Sequence, residues 1–254
     1  MRLGLSVVVP CYNEEERIDA FFQDWLTFSH KNEARLRAEF EHLELVFVND
    51  GFTDQTRPKI ERAIPDLLAK SPASLLAYVN LYSLEVNEGK GAAVRRGLQE
   101  SKGDWVLICD ADLSTPLVEI FKFKDANVDL AFGSRGLKAS NITQSQSGLR
   151  PLLGRIFNFW MRAFTGLPFS DTQCGFKLLK GDLARNIGPR IRENRFAFDV
   201  EMLLLAAGES AVLREIPVEW AHREPSRVSP LKDGLRMARK VIEFSWSLPR
   251  YKVS

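Results

Sequence analysis

Residues 104–116 read DWVLICDADLSTP. After the opening acid comes a short run of bulky apolar residues, the pattern of a strand covered on both faces. It stops at two aspartates one residue apart. On an extended backbone side chains repeat every two residues, so Asp110 and Asp112 share one side. Two carboxylates that close raise each other's pKa unless a cation neutralises them. A hard divalent ion such as Mg2+ or Mn2+, held by one or two carboxylates and by substrate phosphates, is the usual solution. The same residues have a plainer reading: Ser114, Thr115 and Pro116 form a helix start by themselves, which makes the aspartates a turn and a cap.

The pattern of apolar run followed by a polar, chemically loaded turn occurs three more times upstream. Strands are expected at 3–9, 43–50 and 75–82, then at 104–110 and 128–134. Helical patterns fill the gaps, reaching to about residues 29, 70 and 99. Asn13, followed by Glu14, Glu15 and Glu16, is expected to cap the first helix. Strand and helix in alternation, with continuously apolar strands, predict an α/β fold: a mostly parallel sheet with helices on both faces. Ligands of such sheets gather beyond the carboxyl ends of the strands. There the chain places PCYNEE (10–15), NDGFTD (49–54), NEGKG (87–91) and DADLSTP (110–116). Lys90 between two glycines suits a loop whose backbone approaches a phosphate while the lysine supplies a point charge. Alone, GKG is also an ordinary turn, and the longer phosphate-loop pattern GxxxxGK[ST] is absent.

Beyond Arg135 the rhythm breaks. Residues 141–148 are polar and read as a loop. Residues 149–166 and 234–248 are helical patterns in which large apolar side chains alternate with arginines, suited either to packing on the core or to lying on an anionic bilayer. Between them, 195–207 reads as a helix with Asp199 and Glu201 as surface charges, and 212–220 as a strand.

Composition bounds the rest. The 254 residues, 45% hydrophobic and 27% charged, suit one sizeable domain over 1–254. A formal net charge of +2 argues against a nucleic-acid partner. Cys11, Cys109 and Cys174 form no CxxC and adjoin apolar runs, so buried reduced thiols and a reducing compartment are expected. No window reaches the roughly 18 apolar residues of a membrane span, so the chain is expected to be soluble or peripheral.

Taken in order, VVVPCYNEE, VNDGFTD, NEGKGAAVRRG, DADLSTP, GSR (133–135), DTQCGFKLL (171–179), RFAFDVEMLLLA (195–206) and EIPVEW followed by SRV resemble the inverting nucleotide-sugar glycosyltransferases of family 2. The later blocks resemble the polyprenyl-phosphate branch, with its dolichyl-phosphate glucosyl- and mannosyltransferases. The resemblance spans nearly the whole chain and implies a GT-A fold, with C-terminal amphipathic helices added. It implies a nucleotide-sugar-binding half at 1–135 and an acceptor half at 136–254. Pro10, Tyr12 and Glu14 would line the nucleoside pocket, with Asp50 on the base and Lys90 on the diphosphate or sugar. Asp110, Ala111 and Asp112 would hold the donor, and the two aspartates also the metal. Arg135, Arg150 and Arg227 would bind the acceptor phosphate, and Arg135 and Arg150 would share catalysis with the two aspartates.

The chain departs from the pattern at Asn49 and Phe52, where the family has aspartate and serine. It departs again at Gly154, where a serine is common, and at Arg227, where lysine is usual. The implied reaction is metal-dependent transfer of a hexose, glucose from UDP-glucose ahead of mannose from GDP-mannose, to a polyprenyl phosphate at the cytoplasmic face of a membrane. A glycan hydroxyl as acceptor would instead need a base, with Asp171 or Asp199 as candidates. A nucleotide-sugar sensor without turnover is the reading from another class.

Overall fold

The computed structural model describes residues 3–144, 150–223 and 230–248. In chain order the elements are β1 (Leu3–Cys11), α1 (Ile18–Lys31), α2 (Glu33–Glu39), β2 (Phe40–Asp50), α3 (Thr56–Lys70), β3 (Leu76–Leu84), α4 (Lys90–Glu100) and β4 (Trp105–Ile108). Then follow α5 (Ile120–Asp125), β5 (Leu130–Ser134), β6 (Asn141–Gln144), α6 (Arg150–Thr165), β7 (Lys177–Lys180) and α7 (Gly181–Ile187). The last are α8 (Phe198–Gly208), β8 (Leu213–Pro217), β9 (Glu219–Ala221) and α9 (Pro230–Ser247).

Seven strands form one sheet in the order β3-β2-β1-β4-β7-β5-β8. All neighbours run parallel except β7, which lies antiparallel between β4 and β5. Strand alternation divides the core between the two faces. Val7 and Val9 of β1, Leu45 and Phe47 of β2 and Leu107 of β4 pack with Phe21, Trp25, Ile60 and Phe121 from α1, α3 and α5. Val8, Val46, Val48, Val106 and Ile108 point the other way, toward Val94 of α4, Ile187 of α7 and the apolar length of α8. The continuous apolar runs in the sequence therefore mark strands covered twice.

Several expectations need correction. Asn13 does not cap α1. It sits in the left-handed region at φ 51, where Asn is tolerated, and its carboxamide exchanges two hydrogen bonds with Thr53 while α1 begins only at Ile18. The fourth strand ends at Ile108, so the two aspartates share a side because of a turn, closed by Leu113 N–H on Asp110 O at 3.1 Å, and not because of strand alternation. Residues 141–144, expected in a loop, pair with β9 as a separate two-stranded ribbon. The expected strand at 212–220 is divided into β8 and β9. Asp199 and Glu201 are buried instead of lying on a helix surface. All three cysteines are free and buried, as expected.

Candidate active site

The four loops at the carboxyl edge converge because polar side chains tie them together. The loop after β1 and the loop after β2 are zipped by the Asn13–Thr53 pair, by Glu14 N–H donating to Thr56 Oγ1 at 2.7 Å, and by Glu15 N–H donating to Asp54 Oδ2 at 3.1 Å. Pro10 and Tyr12 sit partly buried at this edge, Pro10 still paired in register with Val48. Asn49 closes its own turn by accepting from Phe52 N–H, and reaches β3 through Ser83.

Asp50 is 3% exposed and its carboxylate takes the N–H groups of Glu88 and Gly89 together with the Asn87 carboxamide. The residue expected at the base thus also holds the loop that delivers Lys90. Burial is the main reason its carboxyl stands above the usual range, and those hydrogen bonds pull against the rise. The glycines beside Lys90 meet backbone: a Cβ on Gly89 or Gly91 would overlap the carbonyls of Asn194 and Glu193. That crossing segment is fixed by Glu201, which accepts from Arg192 and Glu193 N–H, and by Arg95, which donates to Ile191 O and Asn194 Oδ1.

Lys90 is the first residue of α4, where the helix amides favour an anion. Its Nζ lies 2.5 Å from Asp110 Oδ1. Burial works against both charges, and their mutual attraction wins: the Lys90 ammonium is held well above its ordinary range and the Asp110 carboxyl below its own. Ala111 is buried between the aspartates. Asp112 accepts from Ser114 N–H at 2.9 Å and stands 4.0 Å from Arg17 Nη1. Burial, and after it the charge of Asp110, push the Asp112 carboxyl up. The two aspartates are thus differently engaged, Asp110 by the lysine at 2.5 Å and Asp112 by the Ser114 amide with Arg17 at 4.0 Å. Among the described residues no group of three or more His, Cys, Asp or Glu side chains is arranged to hold a metal. A carboxylate destabilised by a like charge still fits a hard divalent ion that draws its remaining oxygens from phosphates.

Next along the edge, Arg135 follows β5 and is clamped by Asp171. Asp171 Oδ2 accepts from Arg135 Nε at 2.6 Å and from its N–H at 3.1 Å, while Oδ1 accepts from Nη2 at 3.0 Å and from Gln173 N–H at 3.0 Å. Burial alone would raise the Asp171 carboxyl, and the guanidinium more than offsets it, so the net direction is down. The Trp220 ring lies under the guanidinium, 5.4 Å away. Arg150 opens α6, its side chain outside the described residues, and Arg227 lies outside them altogether.

Beneath this surface is an ion pair between residues that the sequence offered no reason to join. Lys177, 1% exposed at the start of β7, donates to Asp199 Oδ1 and to Cys174 O, both at 2.5 Å. Burial outweighs the lysine and keeps the Asp199 carboxyl above its usual range. A lysine flanked by Phe176 and Leu178 in CGFKLL was the available signal, because a lone charge inside an apolar run is buried only with a partner.

Residues 6–188 match the family described as Glycosyl transferase family 2. The chain is 31% identical to the dolichyl-phosphate beta-glucosyltransferase of Dictyostelium discoideum, over 98% of this chain and 76% of that protein. It is 33% identical to the human protein of the same description, over 94% and 74%. Among solved structures, UDP-bound glucosyl-3-phosphoglycerate synthase from Mycobacterium tuberculosis is similar at a TM-score of 0.56 and 18% identity, covering 96% of this chain and 79% of that one. A Pyrobaculum calidifontis mannosyltransferase in complex with GDP-Man and Mn2+ is similar at 0.53 and 16%, covering 97% and 74%. The α/β architecture expected from the sequence is borne out by these likenesses.

Proposed function

Since this chain belongs to glycosyl transferase family 2, and is a glycosyltransferase, we propose that it moves glucose from UDP-glucose to a polyprenyl or dolichyl phosphate with inversion at C1. One observation supports the choice of acceptor: the two carboxylates expected as a base for a hydroxyl, Asp171 and Asp199, are both engaged in ion pairs. Asp171 has both oxygens on Arg135 and the loop backbone, and Asp199 is paired with Lys177. A hydroxyl acceptor would need one of them free. A phosphate monoester needs neither, since its second pKa is near 6 and it is anionic at neutral pH.

The chemistry then follows from placement. A lipid phosphate oxygen bonds to C1 as the bond from C1 to the diphosphate oxygen breaks, and the electron pair leaves on the nucleoside diphosphate. Lys90, at the α4 N-terminus, stabilises that departing charge. Asp112 would hold Mg2+ or Mn2+, which would supply Lewis-acid neutralisation of the diphosphate. Arg135 uses its Nε and Nη2 on Asp171, which fixes the guanidinium plane and leaves Nη1 to orient the acceptor phosphate. Attack opposite the departing diphosphate converts an α-linked donor to a β-linked product. Pro10, Tyr12, Glu14 and Asp50 are assigned to the nucleoside side, and Arg150 and Arg227 to the acceptor side with Arg135. The test is a donor panel of labelled UDP-glucose and GDP-mannose, each with polyprenyl phosphate. Label from UDP-glucose is expected in the organic phase; label that stays aqueous with every donor would exclude a lipid acceptor.

A lipid substrate also gives α6 and α9 a role. Among the described residues no helix is long and apolar enough to cross a membrane. Much of the apolar face of α9 turns inward, with Val241 and Phe244 in the core, and Met161 of α6 does the same. Outside remain Phe159 (74% exposed), Trp160, Leu235 (76%) and Trp246 (88%), with Arg162, Arg236 and Arg239 also exposed. These arginines and aromatic tips suit the headgroup region of an anionic bilayer on its cytoplasmic side. The protein is expected to float with anionic vesicles at low salt, and Trp246→Ala to reduce the bound fraction severalfold. Equal recovery with neutral vesicles, or none with either, would rule this surface out.

A further inference from the structure

Asp171 holds the Arg135 guanidinium by one edge, taking Nε and Nη2. A fork of that kind sets the direction in which the group points, and resists least a swing out of the carboxylate plane. What meets the face of the guanidinium is the indole of Trp220, whose ring centroid lies 5.4 Å from Cζ. That separation is within the reach of a cation–π attraction, and Trp offers the strongest of the aromatic faces. A second carboxylate could also have stopped the swing, but it would have added a negative charge beside a site offered to an anion. A ring steadies the cation and leaves its charge available.

Trp220 is held in turn. It is buried in β9, opposite Ile142 of β6, and its carbonyl accepts from Thr143 Oγ1 at 3.4 Å. The His222 imidazole stacks against the indole, with centroids 5.9 Å apart. One residue on, Ala221 N–H donates to Ser114 O at 2.9 Å, and Ser114 is the residue whose own N–H is taken by Asp112. The β6–β9 ribbon thus anchors the ring beneath Arg135 to the turn that carries the two aspartates. Core packing explains the burial of Trp220. It does not call for an aromatic face turned to a charged group that is itself clamped from the side.

Resting on the reading of Arg135 as a ligand of the acceptor phosphate, we propose that Trp220 is a positioning residue for transfer: its π face fixes the tilt of the Arg135 guanidinium and so presents Nη1 to the lipid phosphate. The experiment replaces Trp220 site-specifically by tryptophans with one to four ring fluorines, which drain the π face and barely change its size, and adds Trp220→Phe and Trp220→Leu. Each protein is assayed for transfer from UDP-glucose to farnesyl phosphate, farnesyl phosphate binding is measured calorimetrically, and thermal unfolding reports the fold. Acceptor affinity and kcat/KM for the acceptor should fall stepwise with fluorine count, about three- to tenfold over the series. KM for UDP-glucose should stay within about twofold, Trp220→Phe should recover part of what Trp220→Leu loses, and in an Arg135→Met background the fluorine series should be flat. A flat series beside an intact Arg135, or a matching rise in KM for UDP-glucose, would overturn the assignment and leave Trp220 a packing residue. Farnesyl phosphate binding that survives Arg135→Met undiminished would refute the acceptor site itself, and this role with it. Wild type that binds farnesyl phosphate without glycosylating it would refute the proposed reaction instead, and the binding series would still decide the role of Trp220.

Discussion

Asp112→Asn is expected to lower kcat for hexose transfer by about 10²- to 10³-fold, the range seen when one preorganised stabiliser of a developing anion is removed. The variant should fold normally, because the Asn carboxamide oxygen can still accept from Ser114 N–H. It should also lose its response to added Mg2+ or Mn2+, since the remaining carboxylate, Asp110, is bound to Lys90. The measurement is a titration of both ions against initial rate, wild type beside variant, with thermal unfolding as the control. Retention of more than a tenth of the activity, with an unaltered metal response, would mean that Asp112 is only the turn residue its Ser-Thr-Pro sequel allows.

The second large effect concerns stability. Lys177→Met strands the Asp199 carboxylate, 4% exposed, without its counter-charge, and leaves the Cys174 carbonyl unpaired. Removing one partner of a buried pair costs roughly 3–5 kcal/mol, which in a protein of this size lowers Tm by about 6–20 °C. Lys177→Met with Asp199→Leu should recover most of that loss, because a well-packed apolar pair is often no less stable than the ions it replaces. Urea unfolding of the two variants decides the matter. A single variant within 1 kcal/mol of wild type would show that Asp199 simply takes up a proton.

What the sequence made legible follows one physical rule. Strands covered on both faces must be continuously apolar, so β1, β2, β4 and β5 stood out, and the loops at their carboxyl ends advertised the candidate site. β7 did not. It is four residues long, with lysine at both ends, and its inward lysine is tolerable only because Asp199 reaches it from α8. β6 was missed for a similar reason: NITQ carries no apolar alternation and is held by backbone pairing to β9 across a long stretch of chain. The site divides the same way. Lys90, Asp110 and Asp112 are visible because glycine and aspartate spacing is local. The clamp of Asp171 on Arg135 joins residues 36 apart and exists only once the sheet has formed. Asp50 shows the limit from the other side, since its position was evident while its four-way grip on residues 87–89 was not.

The reversal of β7 also bears on how such a chain can diversify. In a run of parallel strands, every segment at the carboxyl edge must be followed by a return beneath the sheet, so lengthening one disturbs the route to the next. A strand that runs backward admits chain at that edge directly from α6, after which the path descends between β4 and β5. Insertions between β5 and β7 can therefore reshape the side proposed to take the acceptor while the course of β1 to β4, and with it the proposed donor site, stays untouched. Length variation within this lineage should collect between residues 136 and 170, so that one inherited β1–β4 frame, the proposed donor half, can be paired with many acceptors.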